Sequence, residues 1–173
     1  GNGCANMINR HRKPLWAQLA NDGLMISIIC DGFHLLPEEI NTFYKVKGLD
    51  KTIVTSDVTS YAALKPGEYK TKTGETIELT PGGMLRYPAQ NVLYGSASPI
   101  TKGVGHIMEV TGCSIAEAIQ MASTNPAKLY DLNDRGLLEK GKRADLILFR
   151  LNNNIVEIVK TYVQGQLVYN SAN

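Results

Sequence analysis

The chain has 173 residues and a formal net charge of +2, with 43% hydrophobic and 20% charged residues. These fractions are typical of a globular interior and exclude a disordered chain, and so small a charge argues against a nucleic-acid-binding surface. No apolar run approaches the roughly 20 residues of a membrane span. The 3 cysteines lack a CxxC pair, which predicts reduced thiols in a cytoplasmic protein rather than disulfides or a thiolate metal site.

The segment from residue 24 to residue 55 predicts a strand-helix-strand unit. Residues 24–30 and 52–55 are short, apolar and β-branched, a pattern typical of parallel strands buried on both faces. Residues 37–47 begin with proline, continue with two glutamates and repeat apolar side chains at helical spacing. His34 and Asp57 then follow the carboxyl ends of the two strands, where parallel α/β folds carry their chemistry.

The central region changes in composition. Residues 65–95 are rich in Gly, Pro, Thr and Lys and predict a β-hairpin insertion that turns at Thr73-Gly74, with a second turn at residues 81–83.

The helices that follow are predicted from their end signals. One begins near Pro99, although Gly103 and Gly105 lower its helical propensity. Residues 114–117 form a capping-box pattern for a second helix, and Pro126 is expected to interrupt that helix before a short final one.

The last part of the chain has a period of two. Residues 144–151, 155–163 and 166–169 predict three antiparallel strands, so we divide the chain into residues 1–135 and a small β-domain segment at residues 136–173.

Several motifs carry a resemblance to a known family. They are Asp31-Gly32-Phe33-His34, Ser56-Asp57, Gly95-Ser96, Asn125-Pro126-Ala127 and residues 136–146. Together they resemble the amidohydrolase superfamily, and the first two motifs point to its N-acetylglucosamine-6-phosphate deacetylase branch. The resemblance implies an α/β chain that forms the C-terminal portion of a (β/α)8 (TIM-barrel) metal-dependent hydrolase, together with part of a small β-sandwich domain.

The resemblance also implies a divalent metal, zinc or iron, held by a Glu and two His. The family pattern places those ligands ahead of Gly1, so we expect no metal ligand in this chain. A complete barrel of this class needs about 250 residues. We therefore expect a C-terminal part of the enzyme, with only the last two barrel strands, that is inactive by itself.

Two side chains are the main candidates for chemistry. By resemblance, Asp57 is the catalytic acid-base group, which accepts the proton of the attacking water and returns it to the leaving amine. From the residue alone, Asp57 could instead be a turn or helix-cap aspartate. His34 is expected to bind the sugar phosphate, and the alternative is a loop histidine that bonds to backbone groups. Asp31 and Gly32 are expected to shape this loop.

The resemblance places the phosphate contacts at the start of the chain. Asn2, Gly3 and Arg10 match the family spacing, while the basic residues 11–13 leave the choice of cation open.

A further substrate-lining segment is implied at Leu93, Tyr94 and Gly95, for which a plain core turn is the alternative. His106 is expected to be structural and to lie away from these motifs.

Two functional hypotheses follow. In the first, the chain is part of a metal-dependent amidohydrolase that removes the N-acetyl group of an amino-sugar phosphate. In the second, it is a non-catalytic, truncated remnant that binds sugar phosphates or acts as an assembly partner. The resemblance suggests a homodimer, and two strands without barrel neighbours would also favour self-association.

Overall fold

The computed structural model describes residues 13–171. Helix α1 (Pro14–Ala20) precedes two short parallel strands, β1 (Ile26–Ile29) and β2 (Thr52–Thr55), which flank helix α2 (Pro37–Lys47). The predicted strand-helix-strand unit is therefore confirmed. The register pairs Ile29 with Thr55, which sets the carboxyl ends of both strands level.

The central insertion is larger than a hairpin. Four antiparallel strands follow one another in chain order: β3 (Gly67–Lys70), β4 (Thr76–Leu79), β5 (Leu85–Tyr87) and β6 (Val92–Leu93). The predicted hairpin at Thr73-Gly74 joins β3 to β4, and the second predicted turn joins β4 to β5. The buried side chains of this sheet form a small apolar cluster of Ile77, Leu79 and Leu85.

A helical layer follows the insertion. Helix α3 spans Ile100–Thr111, α4 spans Ile115–Ile119 and α5 spans Asn125–Leu129. The capping box at the start of α4 is confirmed, because Ser114 Oγ accepts a hydrogen bond from the Glu117 amide while the Glu117 carboxylate accepts one from the Ser114 amide.

The predicted interruption at Pro126 is wrong. A π turn over residues 120–124 links α4 directly to α5, and the Asn125 amide bonds to the carbonyl oxygen of Gln120. Five-residue spacing widens the helix just before the proline, which itself lacks an N–H. The chain thus passes Pro126 without leaving the helical path.

The two glycines of α3 lower its helical propensity, but they have a packing role that propensity does not reveal. A Cβ at Gly103 would lie 3.2 Å from Cγ1 of Val54, and a Cβ at Gly105 would overlap the carbonyl oxygen of Asn154. Small residues at these positions let the helix approach both β2 and the C-terminal strands.

The C-terminal segment forms the predicted antiparallel sheet. Strands β7 (Leu146–Asn152), β8 (Ile155–Val163) and β9 (Gln166–Asn170) pair in that order. Val156 of β8 belongs to the same buried cluster as Ile28, Ile40 and Ile107. This sheet therefore shares a core with the helices. No helix in the described part of the chain is long and apolar enough to cross a membrane.

Candidate active site

The candidate site lies beyond the carboxyl ends of β1 and β2. The chain leaves β1 into the loop that carries Asp31 and His34, and it leaves β2 toward Asp57. Because the strand ends are level, the two loops emerge side by side. The predicted pair is brought together: His34 Nε2 lies 3.9 Å from Asp57 Oδ2.

Asp31 organises the loop that holds His34. Its Oδ1 accepts hydrogen bonds from the Phe33 amide at 2.9 Å and from the His34 amide at 3.1 Å. Its Oδ2 lies 2.9 Å from His34 Nδ1 and accepts a bond from Ser96 Oγ at 2.7 Å. Asp31 thus shapes the loop, as expected, and also bonds to the histidine ring.

The carboxylate of Asp31 is held in its charged form. Burial leaves Asp31 only 3% exposed and would raise its pKa. The bonds from the His34 ring, from Ser96 and from the two loop amides outweigh burial and hold the pKa of Asp31 well below its usual range. A buried negative charge therefore lies directly behind His34.

His34 and Asp57 differ in their access to solvent. The His34 side chain is 11% exposed, whereas the Asp57 side chain is 53% exposed. Asp57 also has a positive φ of 52°, a left-handed conformation that is uncommon outside glycine but most tolerated by Asn and Asp. An exposed carboxylate on a strained backbone is a typical feature of functional sites.

Ser96 connects the two halves of the site and was not assigned a role from the sequence. Its amide donates to the Asp57 carbonyl oxygen at 2.9 Å, and its own carbonyl oxygen accepts from the Thr59 amide at 2.8 Å. The Oγ of this buried serine donates to Asp31. The Gly95-Ser96 motif marks the position in the sequence, but its contacts appear only in the folded chain.

The predicted substrate-lining segment lies beside Asp57. Gly95 has a positive φ of 62°, and a Cβ there would lie 2.7 Å from Thr59 Cγ2 and 3.3 Å from the Asp57 carbonyl oxygen. Tyr94 packs its ring against Tyr61, with centroids 6.4 Å apart. Leu93 lies in β6. The substrate contacts of these residues remain predictions.

A lysine that the sequence analysis did not single out lies at the edge of the loop. Lys102 Nζ is 4.6 Å from the centroid of the Phe33 ring, within the range of a cation–π contact. It brings a positive charge beside the loop that carries His34.

The expectation that His106 lies away from the other motifs is wrong. Its Nε2 is 4.0 Å from where a Cβ on Gly32 would lie, so this histidine packs behind the His34 loop. The same nitrogen is buried and has no hydrogen-bond partner among the described residues. The close approach of α3, which its two glycines permit, explains the placement.

The predicted phosphate contacts, Asn2, Gly3 and Arg10, lie outside the described residues.

Among the described residues, the core cysteine and the acidic residues offer no further chemistry of their own. Burial raises the pKa of Cys30 to about 12, with the Asp31 charge adding to the shift, so this core cysteine stays a neutral thiol. Within residues 13–171, no three His, Cys, Asp or Glu side chains converge as a metal site.

Comparison with known proteins agrees with these motifs. The Amidohydrolase family pattern matches residues 4–168. The chain belongs to the amidohydrolase family. N-acetylglucosamine-6-phosphate deacetylase from Bacillus subtilis is 30% identical over 162 residues, which cover 92% of this chain and 39% of that protein.

Two further comparisons concern length and fold. A short Escherichia coli K12 relative, provisionally named N-acetylgalactosamine-6-phosphate deacetylase, is 30% identical over 160 residues and is matched over 92% of its length. The crystal structure of N-acetylglucosamine-6-phosphate deacetylase from Thermotoga maritima superposes with a TM-score of 0.82 at 33% identity, over 94% of this chain and 44% of that one. The family member described here thus spans about two-fifths of the length of the Bacillus subtilis relative, which it matches over 39%.

Proposed function

We propose that this chain supplies the C-terminal part of the active site of an amidohydrolase that removes the N-acetyl group of an amino-sugar phosphate. The observation that carries the proposal is the convergence of His34 and Asp57 beyond two level parallel strands. The names of the relatives support an amino-sugar 6-phosphate as the substrate.

The same proposal includes the finer architecture. We assign β1 and β2 to the last two strands of a (β/α)8 barrel, and β7 to β9 to part of a β-sandwich. The likeness to the Thermotoga maritima deacetylase, which covers 44% of that chain, supports this assignment.

Asp57 is the proposed acid-base group. Hydrolysis of an amide requires a base that accepts a proton from water and an acid that protonates the departing nitrogen. An ionised carboxylate can accept the first proton and later donate it to the amine. The side chain of Asp57 is 53% exposed, so substrate and water can reach it, while its backbone is fixed by Ser96.

A divalent metal is proposed for the reaction on the ground of the family resemblance alone. Amidohydrolases generally use a divalent metal, which in amide hydrolysis activates the attacking water. The described residues do not form a ligand group for it. We therefore derive no step through a metal, whether zinc or iron, and assign its ligands to none of the described residues.

Substrate binding is assigned to the residues that surround Asp57. His34 contacts the sugar phosphate, and its rigid bond to Asp31 fixes the direction of the ring. The segment Leu93-Tyr94-Gly95 lines the sugar, with Gly95 directly against the Asp57 loop. Asn2, Gly3 and Arg10 complete the phosphate contacts.

The assembly proposal rests on exposed apolar surface. The C-terminal sheet leaves large side chains open to solvent, including Ile155 at 61%, Val168 at 59% and Leu148 at 52%. Apolar surface left open to solvent in a sheet can mark an interface. We propose that self-association, as a homodimer or larger assembly, covers part of it.

The test compares two variants of the intact protein that carries this chain, with N-acetylglucosamine 6-phosphate and its galacto isomer as substrates. Asp57→Asn should lower kcat by about 10² to 10⁴, the usual contribution of an acid-base group, with little change in substrate affinity. Arg10→Ala should mainly raise KM. Near-normal turnover of Asp57→Asn would remove this residue from the mechanism, and no deacetylation by the wild-type protein would favour the non-catalytic alternative.

A further inference from the structure

The two ring nitrogens of His34 face different surroundings. Nδ1 lies 2.9 Å from Asp31 Oδ2, and Nε2 points toward Asp57 at 3.9 Å from its Oδ2. An ionised carboxylate can only accept hydrogen bonds, so the nitrogen that bonds to Asp31 must carry a proton. The choice of tautomer is therefore made on the buried side of the ring, away from the ligand.

The acceptor itself is fixed in place. Asp31 is 3% exposed, and its two oxygens accept bonds from two loop amides and from Ser96 Oγ besides the bond to the histidine. Ser96 Oγ is oriented in turn, because it accepts a bond from the Ser98 amide at 3.0 Å. With that acceptor bond made, its hydroxyl proton is directed at Asp31.

We propose that Asp31 and Ser96 are positioning residues that hold His34 with Nδ1 protonated and Nε2 presented, as a hydrogen-bond acceptor, to a hydroxyl of the substrate. The identity of the ligand rests on the proposed function, whereas the tautomer and its cause do not. Ser96 serves both sides of the site: its hydroxyl orients the histidine through Asp31, and its backbone fixes Asp57.

This arrangement gives the ligand one defined contact on the ring. With the Nδ1 proton committed to Asp31, this tautomer can only accept at Nε2, so a hydroxyl of the sugar or of a singly protonated phosphate must donate to it, along a direction set by the buried carboxylate. Loss of Asp31 or of the Ser96 hydroxyl should therefore weaken ligand binding more than it slows proton transfer at Asp57.

The decisive experiment is long-range ¹H–¹⁵N NMR of the histidine side chains in the full protein, recorded about two pH units above the ordinary histidine pKa of about 6.5. Wild-type His34 should give the Nδ1–H pattern. Asp31→Asn should lose that pattern, because an amide can donate as well as accept. Ser96→Ala should show a mixture of tautomers. Ser98→Ala is the matched control, since its backbone N–H is kept, and it should resemble wild type.

Either of two results would overturn the proposal. One is an Nε2–H pattern in the wild-type protein, and the other is a wild-type pattern retained in both Asp31→Asn and Ser96→Ala. If Asp31→Asn does not fold, Ser96→Ala decides the question alone.

The kinetic readout separates this proposal from the proposed function. In an active protein, Asp31→Asn should raise KM about 10- to 100-fold, by analogy with the loss of a partner that orients a metal-binding histidine, with kcat changed much less. A loss of kcat by the same 10- to 100-fold, with KM unchanged, would contradict the positioning role. An inactive wild-type protein that still shows the Nδ1–H pattern would refute the proposed function and leave the histidine geometry supported.

Discussion

Nε2 of His34 lies 3.9 Å from Oδ2 of Asp57, across the gap between the loops that follow β1 and β2. The histidine is locked from behind by a buried carboxylate, while the aspartate is open to solvent on a strained backbone. One ligand can therefore contact a fixed histidine and a solvent-exposed carboxylate at once.

Asp57 should exchange stability for activity. Its φ of 52° costs Asp less than it costs most side chains but still more than it costs glycine, so Asp57→Gly relieves some strain. Glycine also increases the entropy of the unfolded chain, which offsets part of this gain. We expect the free energy of unfolding to rise by at most about 1 kcal/mol, and the proposed deacetylase turnover to be lost. Chemical denaturation and a steady-state assay would measure the two effects.

Asp131 is the matched control for this substitution. It is exposed and has a φ of 53°, but it follows α5 rather than β2. Asp131→Gly should give a similar gain in stability with normal turnover. A clear loss of stability in Asp57→Gly alone would show that its carboxylate supports the fold.

The stability of the protein should fall in acid because of Asp31. The folded state holds the pKa of this carboxyl below its unfolded value of about 3.9, so the contribution is full above that value and is lost as the pH falls toward the folded pKa. Asp31→Asn should therefore be less stable than wild type at neutral pH, with a difference that shrinks below about pH 4. Urea denaturation between neutral and acid pH would check it, and a difference independent of pH would contradict it.

Gly105 should not tolerate alanine. A Cβ there would overlap the carbonyl oxygen of Asn154, and neither backbone can move without separating α3 from the turn between β7 and β8. We expect Gly105→Ala to lower the free energy of unfolding by about 1 to 3 kcal/mol, as overpacking does, despite the higher helical propensity of alanine. Thermal unfolding would measure the change.

Gly103 provides the comparison within the same helix. Its added Cβ would meet a methyl of Val54 at 3.2 Å, a contact that a small side-chain shift can relieve. Gly103→Ala should therefore cost less than Gly105→Ala. The reverse order would show that the contact with the β-turn is not the limiting one.

Asn125 should be essential for attaching α5 to the start of β2. This fully buried residue donates from Nδ2 to the carbonyl oxygens of Leu49 and Thr52, each at 2.7 Å. Asn125→Ala removes two buried hydrogen bonds, at about 0.5 to 1.5 kcal/mol for each, although the Thr52 amide still donates to the Leu49 carbonyl oxygen. Asn125→Asp should be no better, because a carboxylate would face two carbonyl oxygens. Asn133→Ala, which removes an exposed bond to the Asp131 carbonyl oxygen, should have little effect in the same denaturation measurement.

Local patterns predicted the local structure. The proline, paired glutamates and apolar spacing of residues 37–47 predicted α2 over its observed length, and the capping-box residues predicted the start of α4. Pro126 shows where such reasoning fails. Its effect depends on whether the preceding turn can widen, and the sequence of residues 120–124 does not indicate that it does.

For the site, the sequence by itself determined which polar side chains follow the ends of the two parallel strands, because strand period and loop position depend on neighbouring residues alone. It placed His34 and Asp57 there, but it gave Ser96 no role and placed His106 elsewhere. Those two placements depend on contacts between segments far apart in the chain: the Ser96 hydroxyl reaches Asp31, and α3 approaches the loop of Gly32 because its glycines carry no side chain. Only the tertiary structure could decide them, since long-range packing selects one partner among many that local propensity leaves equal.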